Sequence, residues 1–463
     1  MRQDAMDWAV AEFRGVPGLE KRFQDRLVQT AAALADRPAG SLPERFAWPE
    51  LKGTYRLIHA AAHHPDTLQD VHRDRTRQRM EATPEALLIV HDSTVLSFSH
   101  HPAVRDQLGP ITDSQARGFI QHNSLVVNPQ HSQLLGLIHQ QTFCRRLHPA
   151  GETRAGRYHR ADRESRVWTE GVQAVGRMPP GACWVHVGDR AADFFGMMAT
   201  AREHDAHFLI RLVQNRVATA LDDAEVRVME AARAVAATTT GVVEVASRGG
   251  RPGRTASVCL GAVRLTVRPP KLDPLWRSSP PLTITVVRIW EPNPPPNVEP
   301  LEWILGTDRA DQSPEALHQY RVWYEWRWPT MEEYHKVQKS GCGIEDLRFE
   351  TKERLQAAIA ILSVVAVRVL SLRWMRDSHP EASAEVVATE EELEVLHALA
   401  PHQPPTRTVK RFVDRVAGLG GFLGRKCDGA PGWQTLWRGY QRLGDLVLGV
   451  GIARTKPKPP KCG

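Results

Sequence analysis

The chain has 463 residues, a net charge of +7 and an isoelectric point near 9.2, with 42% hydrophobic and 24% charged residues. That length exceeds one compact core and suits roughly two to four domains. The composition excludes a disordered or fibrous chain, and the basic balance suits a polyanionic partner without demanding one.

Six cysteines (Cys144, Cys183, Cys259, Cys342, Cys427, Cys462) lie far apart, with no Cys-x-x-Cys pair. That spacing opposes a zinc site and a disulfide framework and fits a reducing cytoplasm. Residues 1–13 lack the uninterrupted apolar core of a signal peptide. The apolar run from Leu355 to Leu372 is interrupted by Arg368 and is short for a membrane span. It is expected to be a buried core helix, in a cytoplasmic protein with no membrane partner.

Residues 1 to about 75 read as short helices carrying Arg22, Arg26, Lys52, Arg56, His72 and Arg73, with a turn-rich break from Asp36 to Pro43. A small helical unit with a basic face suggests a DNA-binding module; a solvated helical face is the alternative. From about 76 to 212, strands alternate with helices. Leu87–Val90 is a short apolar run, as expected of a strand buried on both faces. Ser124–Val127, Leu134–Ile138, Cys183–Val187 and His207–Ile210 supply further strands of one α/β core. From about 213 to 300 the chain is strand-rich: Val242–Val245, Val263–Val267 and Leu282–Val287 lie between Gly- and Pro-rich turns. This stretch is read as a β-rich insertion, because helices suited to completing the core follow it. The last region, from about 379, opens with an acidic helix and ends in a basic tail. Residues 403–463 carry twelve Lys/Arg against three Asp and no Glu.

Two aspartates stand directly after strands, Asp92 in His-Asp-Ser-Thr and Asp189 in Gly-Asp-Arg-Ala. Carboxylates at the carboxyl ends of strands project into the crevice where α/β active sites form. Two that converge could bridge metal ions roughly 3.5–4 Å apart, an arrangement suited to phosphoryl transfer. Each alone is equally well a helix cap. From Glu332 the pattern is helical, which places Glu332, Lys336 and Lys339 along one face. Such a face could complete a metal site and grip phosphates, or be no more than an exposed Glu–Lys pair.

The stretch Tyr324…Arg327…Glu332…Lys339, with Glu-Glu-Tyr-His-Lys at its centre, resembles the Tyr-Arg-Glu-Lys signature of bacterial insertion-sequence DDE transposases, in particular the transposon-five-type subgroup. Asp92 and Asp189 match that subgroup's first two catalytic aspartates, and the strand-rich segment falls where it carries a β-insertion. Asp7-Trp8-Ala9 through Leu51–Arg56 is similar to its N-terminal region, and Leu419–Lys426 with Gly432–Gly439 to its C-terminal region. The resemblance covers nearly the whole chain. It implies a ribonuclease-H-like α/β core (76–378) interrupted by the insertion. A helical N-terminal DNA-binding domain (1–75) and a helical C-terminal dimerisation domain (379–463) would flank it.

By that resemblance Asp92, Asp189 and Glu332 are the catalytic, metal-binding triad for two Mg²⁺ ions, with Mn²⁺ as a substitute. Tyr324, Arg327, Lys336 and Lys339 would contact DNA phosphates. Trp303 would stack on a base flipped from the transposon end; a core aromatic is its other reading. Arg22, Arg26, Lys52, Tyr55 and Arg56 would recognise the ends. The implied partners are double-stranded DNA, as terminal inverted repeats and target, and a second copy of the chain assembled on DNA. The implied activity is cut-and-paste transposition through a hairpin. Two departures stand out. Four residues separate Arg327 from Glu332 where the family has three, and the extra one is expected in a loop ahead of a helix starting near Pro329. Ala191 stands where relatives often carry Glu. A DNA-binding regulator without catalysis, or a nuclease that cuts without joining, are the rival readings.

Overall fold

The computed structural model describes residues 5–36, 41–112, 115–146, 151–160, 162–245, 253–425 and 429–454. The heart of the expected break at Arg37–Gly40, Lys426, Cys427, Cys462 and the basic tail beyond Arg454 lie outside the described residues.

Among the described residues the N-terminal part is helical, chiefly α1 (Ala5–Phe13), α2 (Lys21–Asp36), α3 (Trp48–Ala61) and α4 (Asp70–Glu81). The boundary expected near 75 therefore falls inside α4. A hydrogen bond between the Thr30 and Thr54 hydroxyls (3.1 Å) ties α2 to α3 inside the unit. The chain then builds β1 (Leu87–Ser97), β2 (Gly109–Pro110), β3 (Arg117–Asn128) and β4 (Gln133–Phe143). Helix α5 (Arg166–Val175) leads to β5 (Trp184–Gly188), and α6 (Phe195–Glu203) leads to β6 (His207–Arg211). Next come β7 (Val217–Thr219), β8 (Glu225–Arg227), β9 (Thr239–Val245), β10 (Arg254–Val267), β11 (Leu282–Trp290) and β12 (Glu302–Thr307).

These strands form one mixed sheet, ordered β2-β3-β1-β5-β6-β12-β11-β10-β7-β8, with β4 on β3 and β9 on β10. Only β1–β5 and β5–β6 pair in parallel. The strand-rich segment is thus no separate body: through β12, which lies past its expected end at 300, it continues the central sheet at β6. β1 is also longer than its apolar run. Asp92, Ser93 and Thr94 pair antiparallel with Asn123, His122 and Gln121 of β3, so Asp92 sits within a strand rather than after one.

Helix α7 (Pro314–Glu325) and the long α8 (Lys352–Ser378) follow, and the described residues beyond them include α9 (Glu390–Leu399), α10 (Val409–Leu419) and α11 (Trp433–Arg454). The middle of α8, Ala357 to Leu370, is buried on every side and apolar but for Ser363 and Arg368, the pattern of a helix that must be covered. By length and hydropathy it is apolar enough to cross a membrane, but 78% of its most apolar window is buried inside the protein. One hydrophobic core runs from Trp8 and Phe13 through Leu27 and Leu57 to Leu355–Leu370 and on to Phe412 and Leu436. Arg368 breaks the apolar run, and its guanidinium lies over the Trp8 ring at 5.0 Å. A second core fills the other sheet face, where α5 and α6 pack on β6, β10 and β11.

The N-terminal helices are pinned to the sheet through one buried carboxylate. Glu12 of α1 accepts from His72 Nδ1 (2.6 Å) and pairs with Arg79, both on α4. The other ring nitrogen of His72 accepts the Leu137 amide of β4 at 3.0 Å. Burial works to raise the Glu12 carboxyl, but the bonds and charges of His72 and Arg79 outweigh it and hold the group at about 2. A depressed carboxyl stabilises the fold above its unfolded value near 4.5 and stops doing so as pH falls through its folded value. Glu12→Gln should therefore lower the melting temperature at pH 7, and its deficit against the parent protein should shrink between pH 4 and pH 2 in a calorimetric series.

Candidate active site

The parallel pairing of β1 with β5 ends at Val90 opposite Val187. Asp92 and Asp189 each lie two residues further on, so alternation along the strands brings both to the face that Val90 and Val187 occupy. That face belongs to the core shared with Tyr324, Met331 and Tyr334, so the two aspartates look toward the helical stretch that follows α7. Neighbouring strands lie about 4.8 Å apart, which fixes the spacing of the two backbones. Asp189 also caps the short turn Arg190–Ala192, its Oδ1 accepting from the Ala191 amide at 2.7 Å. The capping role and the crevice position are compatible in one side chain.

The chain from Pro314 to Gly341 is helical almost throughout, not a loop followed by a helix. Trp328–Glu332 forms a π-turn, Glu333–Lys336 returns to α geometry, and Val337–Gly341 forms a second π-turn. Pro329 lies in the first of these turns. It has no N–H to donate, so the regular α bonding pattern cannot pass through it. A π-turn accommodates one more residue per turn, so the four residues between Arg327 and Glu332 fit within a continuous helical stretch. Arg327 keeps its reach. Its Nη1 donates to Asp92 Oδ2 at 3.1 Å, and its Nη2 lies 3.9 Å from Glu332 Oε1.

Burial first, and then the charge of Asp189, push the Asp92 carboxyl up to about 7; Glu332 adds to the rise, while Arg327 and the Ser93 amide oppose it. Asp92, Asp189, Glu332 and Arg327 thus form one electrostatic unit drawn from three separate parts of the sequence. Three carboxylates without a thiolate are hard-oxygen donors of the kind Mg²⁺ and Mn²⁺ take. A carboxylate still hard to ionise beside a guanidinium has room for further positive charge. Among the described residues, no three His, Cys, Asp or Glu side chains stand close enough to hold a metal ion as they are. Arg327 lies between Asp92 and Glu332 and supplies the cationic charge there. In its chemistry alone, an all-carboxylate donor set is of the kind a divalent cation takes.

The remaining expected residues are placed unequally. Tyr324 is fully buried; burial raises its phenol, and the charges of Arg327, Arg211 and Asp189 all reach it. Trp303 is only 8% exposed, with ring centroids 5.6 Å from Tyr324 and 5.2 Å from Trp328. It occupies the core position named as its other reading, with little open face for a base. Trp328, over which Arg327 lies at 5.1 Å, is the more accessible ring of this cluster. Lys336 turns from Glu332 to Glu333 (3.0 Å), and Lys339 lies near enough to His335 to depress it. Arg22, Arg26, Lys52, Tyr55 and Arg56 line a separate groove between α2 and α3.

Three features escaped the sequence. Arg211 ends β6 and donates to the Glu302 carbonyl at 3.1 Å; a cation closing a parallel strand was the available signal. His335 accepts from Asn123 Nδ2 at 3.1 Å, tying the helix to β3 beside Asp92. Burial, with Lys339 and Arg327 nearby, holds it at about 3 and hence neutral. Behind the sheet, His91 bonds His186 and Ser124 (both 2.8 Å) while His122 bonds Ser93 (2.8 Å). Burial keeps His91, His122 and His186 all below the ordinary imidazole range. Gly171 of α5 allows this layer to close: a Cβ there would meet His122 and His91 at 3.2 Å.

Strand-borne carboxylates, a third on a facing helix and a guanidinium among them define a site suited to binding a divalent cation or a phosphodiester. Residues 364–458 match the model of the transposase Tn5 dimerisation domain, a match that begins inside α8 and spans about a fifth of the chain. Among solved structures the fold is similar to the piggyBac transposase of a synaptic complex with hairpin DNA. Identity there is 9% and the TM-score 0.39, over 98% of this chain and 79% of that one; the likeness is too slight to bear on the assignment.

If Arg327 is the counter-ion of this cluster, removing it leaves buried negative charge uncompensated. Arg327→Ala should cost about 3 kcal/mol in urea unfolding without metal. Asp92→Asn in the same chain should restore much of that loss, and strictly additive effects would show that the two do not interact.

Proposed function

We propose that this chain is a DNA transposase of the cut-and-paste kind. The observation that carries the reading is that Arg327 bonds Asp92 (3.1 Å) and lies 3.9 Å from Glu332, while Asp189, beyond the neighbouring strand, is near enough for its charge to raise Asp92. The likeness of residues 364–458 to a transposase dimerisation domain supports it, as does the net charge of +7. On this reading the core is ribonuclease-H-like, and the partners are transposon-end inverted repeats, target DNA and a second copy of the chain.

Asp92, Asp189 and Glu332 would hold two Mg²⁺ ions, or Mn²⁺, which when bound supply Lewis acidity and charge neutralisation at the scissile phosphate. Arg327 then gives up Asp92 and turns its fork to a phosphate, a group that guanidinium binds in the same bidentate manner as carboxylate. Lys339 adds positive charge along the same helix. Tyr324, packed against Trp303 and Trp328, keeps the start of that helix rigid against β12. His335 stays neutral and holds the helix to β3, so that Glu332 faces the two aspartates. The first step is hydrolysis of one strand at the transposon end. The freed 3′-hydroxyl next attacks the opposite strand, closing a hairpin, and after hairpin opening it attacks target DNA. Each is a displacement at phosphorus, so one site serves all of them.

Purified protein incubated with the DNA flanking its gene, with and without Mg²⁺, tests this. Cuts at the repeat boundaries that need the metal are expected. Asp92→Ala and Glu332→Ala should abolish cutting and leave binding of the ends intact. Specific binding without any cut would instead favour a regulator, and cutting that survives Asp92→Ala would remove that residue from the reaction.

A further inference from the structure

Glu332 and Glu333 are neighbours in the sequence, and a helix sends adjacent side chains about 100° apart. Glu332 meets Arg327 at 3.9 Å, an ion pair too long for a hydrogen bond, and its side chain is 41% exposed. A contact of that length aims a carboxylate loosely. Glu332 also ends a π-turn, Trp328–Glu332, and a widened turn of this kind is rare. What holds the turn in place must act at its two ends.

Both ends are gripped by α8. Ahead of the turn, the Trp326 and Trp374 rings pack with centroids 5.4 Å apart. Behind it, Glu333 Oε2 lies 3.7 Å from Arg373 Nη1, while Glu333 Oε1 accepts from Lys336 Nζ at 3.0 Å. Arg373 and Trp374 are consecutive, so one short stretch of α8 takes hold of the facing helix on either side of Glu332. Glu333 is 17% exposed and Arg373 18%. Among the described residues, Glu333 Oε2 is sealed from solvent with no hydrogen-bond partner. A carboxylate oxygen so placed depends on the guanidinium facing it. The next two residues add bonds of their own: the Tyr334 hydroxyl donates to the Ser363 carbonyl of α8 at 3.1 Å, and His335 accepts from Asn123 at 3.1 Å. Three residues beyond Arg373, Arg376 donates to Asp414 of α10 at 2.7 Å, so α8 cannot shift here without moving its C-terminal neighbours.

We propose that Glu333 and Arg373 are positioning residues of the active site. Their ion pair, acting with the Trp326–Trp374 contact, fixes the span of the π-turn against α8 and so sets how far Glu332 extends toward Asp92 and Asp189. This role rests on the reading of those three carboxylates as one metal site. It gives the second glutamate of the pair a task that needs no contact with metal or DNA: Glu332 faces the site, and Glu333 holds the turn to the frame. Lys336 belongs to the same anchor, since its ammonium bonds Glu333.

Binding of Mn²⁺, followed by the electron paramagnetic resonance of the free ion, reads this without DNA or turnover. The parent protein compared with Asp92→Ala defines the site's share of the binding. Glu333→Gln and Arg373→Gln should each weaken that share about 10- to 100-fold, the range for losing a group that orients a metal ligand. Arg373→Lys keeps the charge, spares the fold and should fall between them and the parent. The exchanged pair, Glu333→Arg with Arg373→Glu, should recover most of the loss. Melting temperatures without metal are taken for each variant, and affinities are compared where all are folded. If Glu333→Gln melts lower yet binds Mn²⁺ as tightly as the parent, the pair supports the fold alone and the positioning role is refuted. If the exchanged pair binds no better than either single variant, the two charges do not act on the site together, which refutes it equally. If the parent and Asp92→Ala bind Mn²⁺ alike, the metal-site reading itself falls, and the positioning of Glu332 with it.

Discussion

Everything in this protein is arranged around a helix that cannot face water. The middle of α8, Ala357 to Leu370, is buried on all sides, and a fully buried Leu, Ile or Val contributes about 1.5–3 kcal/mol relative to an exposed one. Covering it takes more surface than any single neighbour offers. The N-terminal helices, β4 and the C-terminal helices each supply part of the cover and join one continuous core. The parts that sequence composition separates into domains are therefore not independent packing units. The similarity to a transposase dimerisation domain starts at residue 364, midway along this helix. A C-terminal unit defined in that way owns half of the element on which the rest of the molecule packs.

The site draws its geometry from the sheet and its electrostatics from the helix opposite. Asp92 and Asp189 hold matching positions beyond the last paired residues of a parallel ladder, so strand spacing brings their backbones side by side and the turn that Asp189 caps fixes its side chain. Glu332 and Arg327 come from a helix, and their placement depends on packing at Tyr324, Met331 and Tyr334, all buried. Three carboxylates near one another repel, and Arg327 is what the fold provides against that repulsion. Beneath, a layer of neutral imidazoles backs β1 without adding charge. The local balance is thus left to the carboxylates and to Arg327, which bonds Asp92 and lies near Glu332.

Much of this was legible in the sequence, and the exceptions have physical causes. Apolar runs located β5 and β6, because burial on both faces leaves a compositional trace, while β9, β10 and β11, partly exposed, showed as β-branched runs between turn residues. Polar residues hid the second half of β1: His-Asp-Ser-Thr reads as a turn, yet His91 and Ser93 are paid for by buried hydrogen bonds to His186, Ser124 and His122. The union of the strand-rich segment with the central sheet rests on β12 pairing with β6, and pairing partners leave no local signature. Motif order singled out Asp92, Arg327 and Glu332, and the ion pairs between them are visible only in the fold. The burial of Trp303 could not be read there, since the same indole spacing serves a core and a stacking platform equally. Arg373 stood unremarked because its pairing with Glu333 is a property of the fold, not of the residue.

The two π-turns carry a consequence for how such chains diverge. A residue added to a regular α-helix rotates everything after it by about 100°, which would carry Glu332 and Lys339 off the face that meets the sheet. A single widened turn confines that rotation to its own circumference, so the segments before and after keep their bearings. The helix therefore has a place where length can change by one without the site being redrawn. Register along this signature is kept by side-chain direction, and counting residues from Arg327 to Glu332 measures the bulge rather than the site.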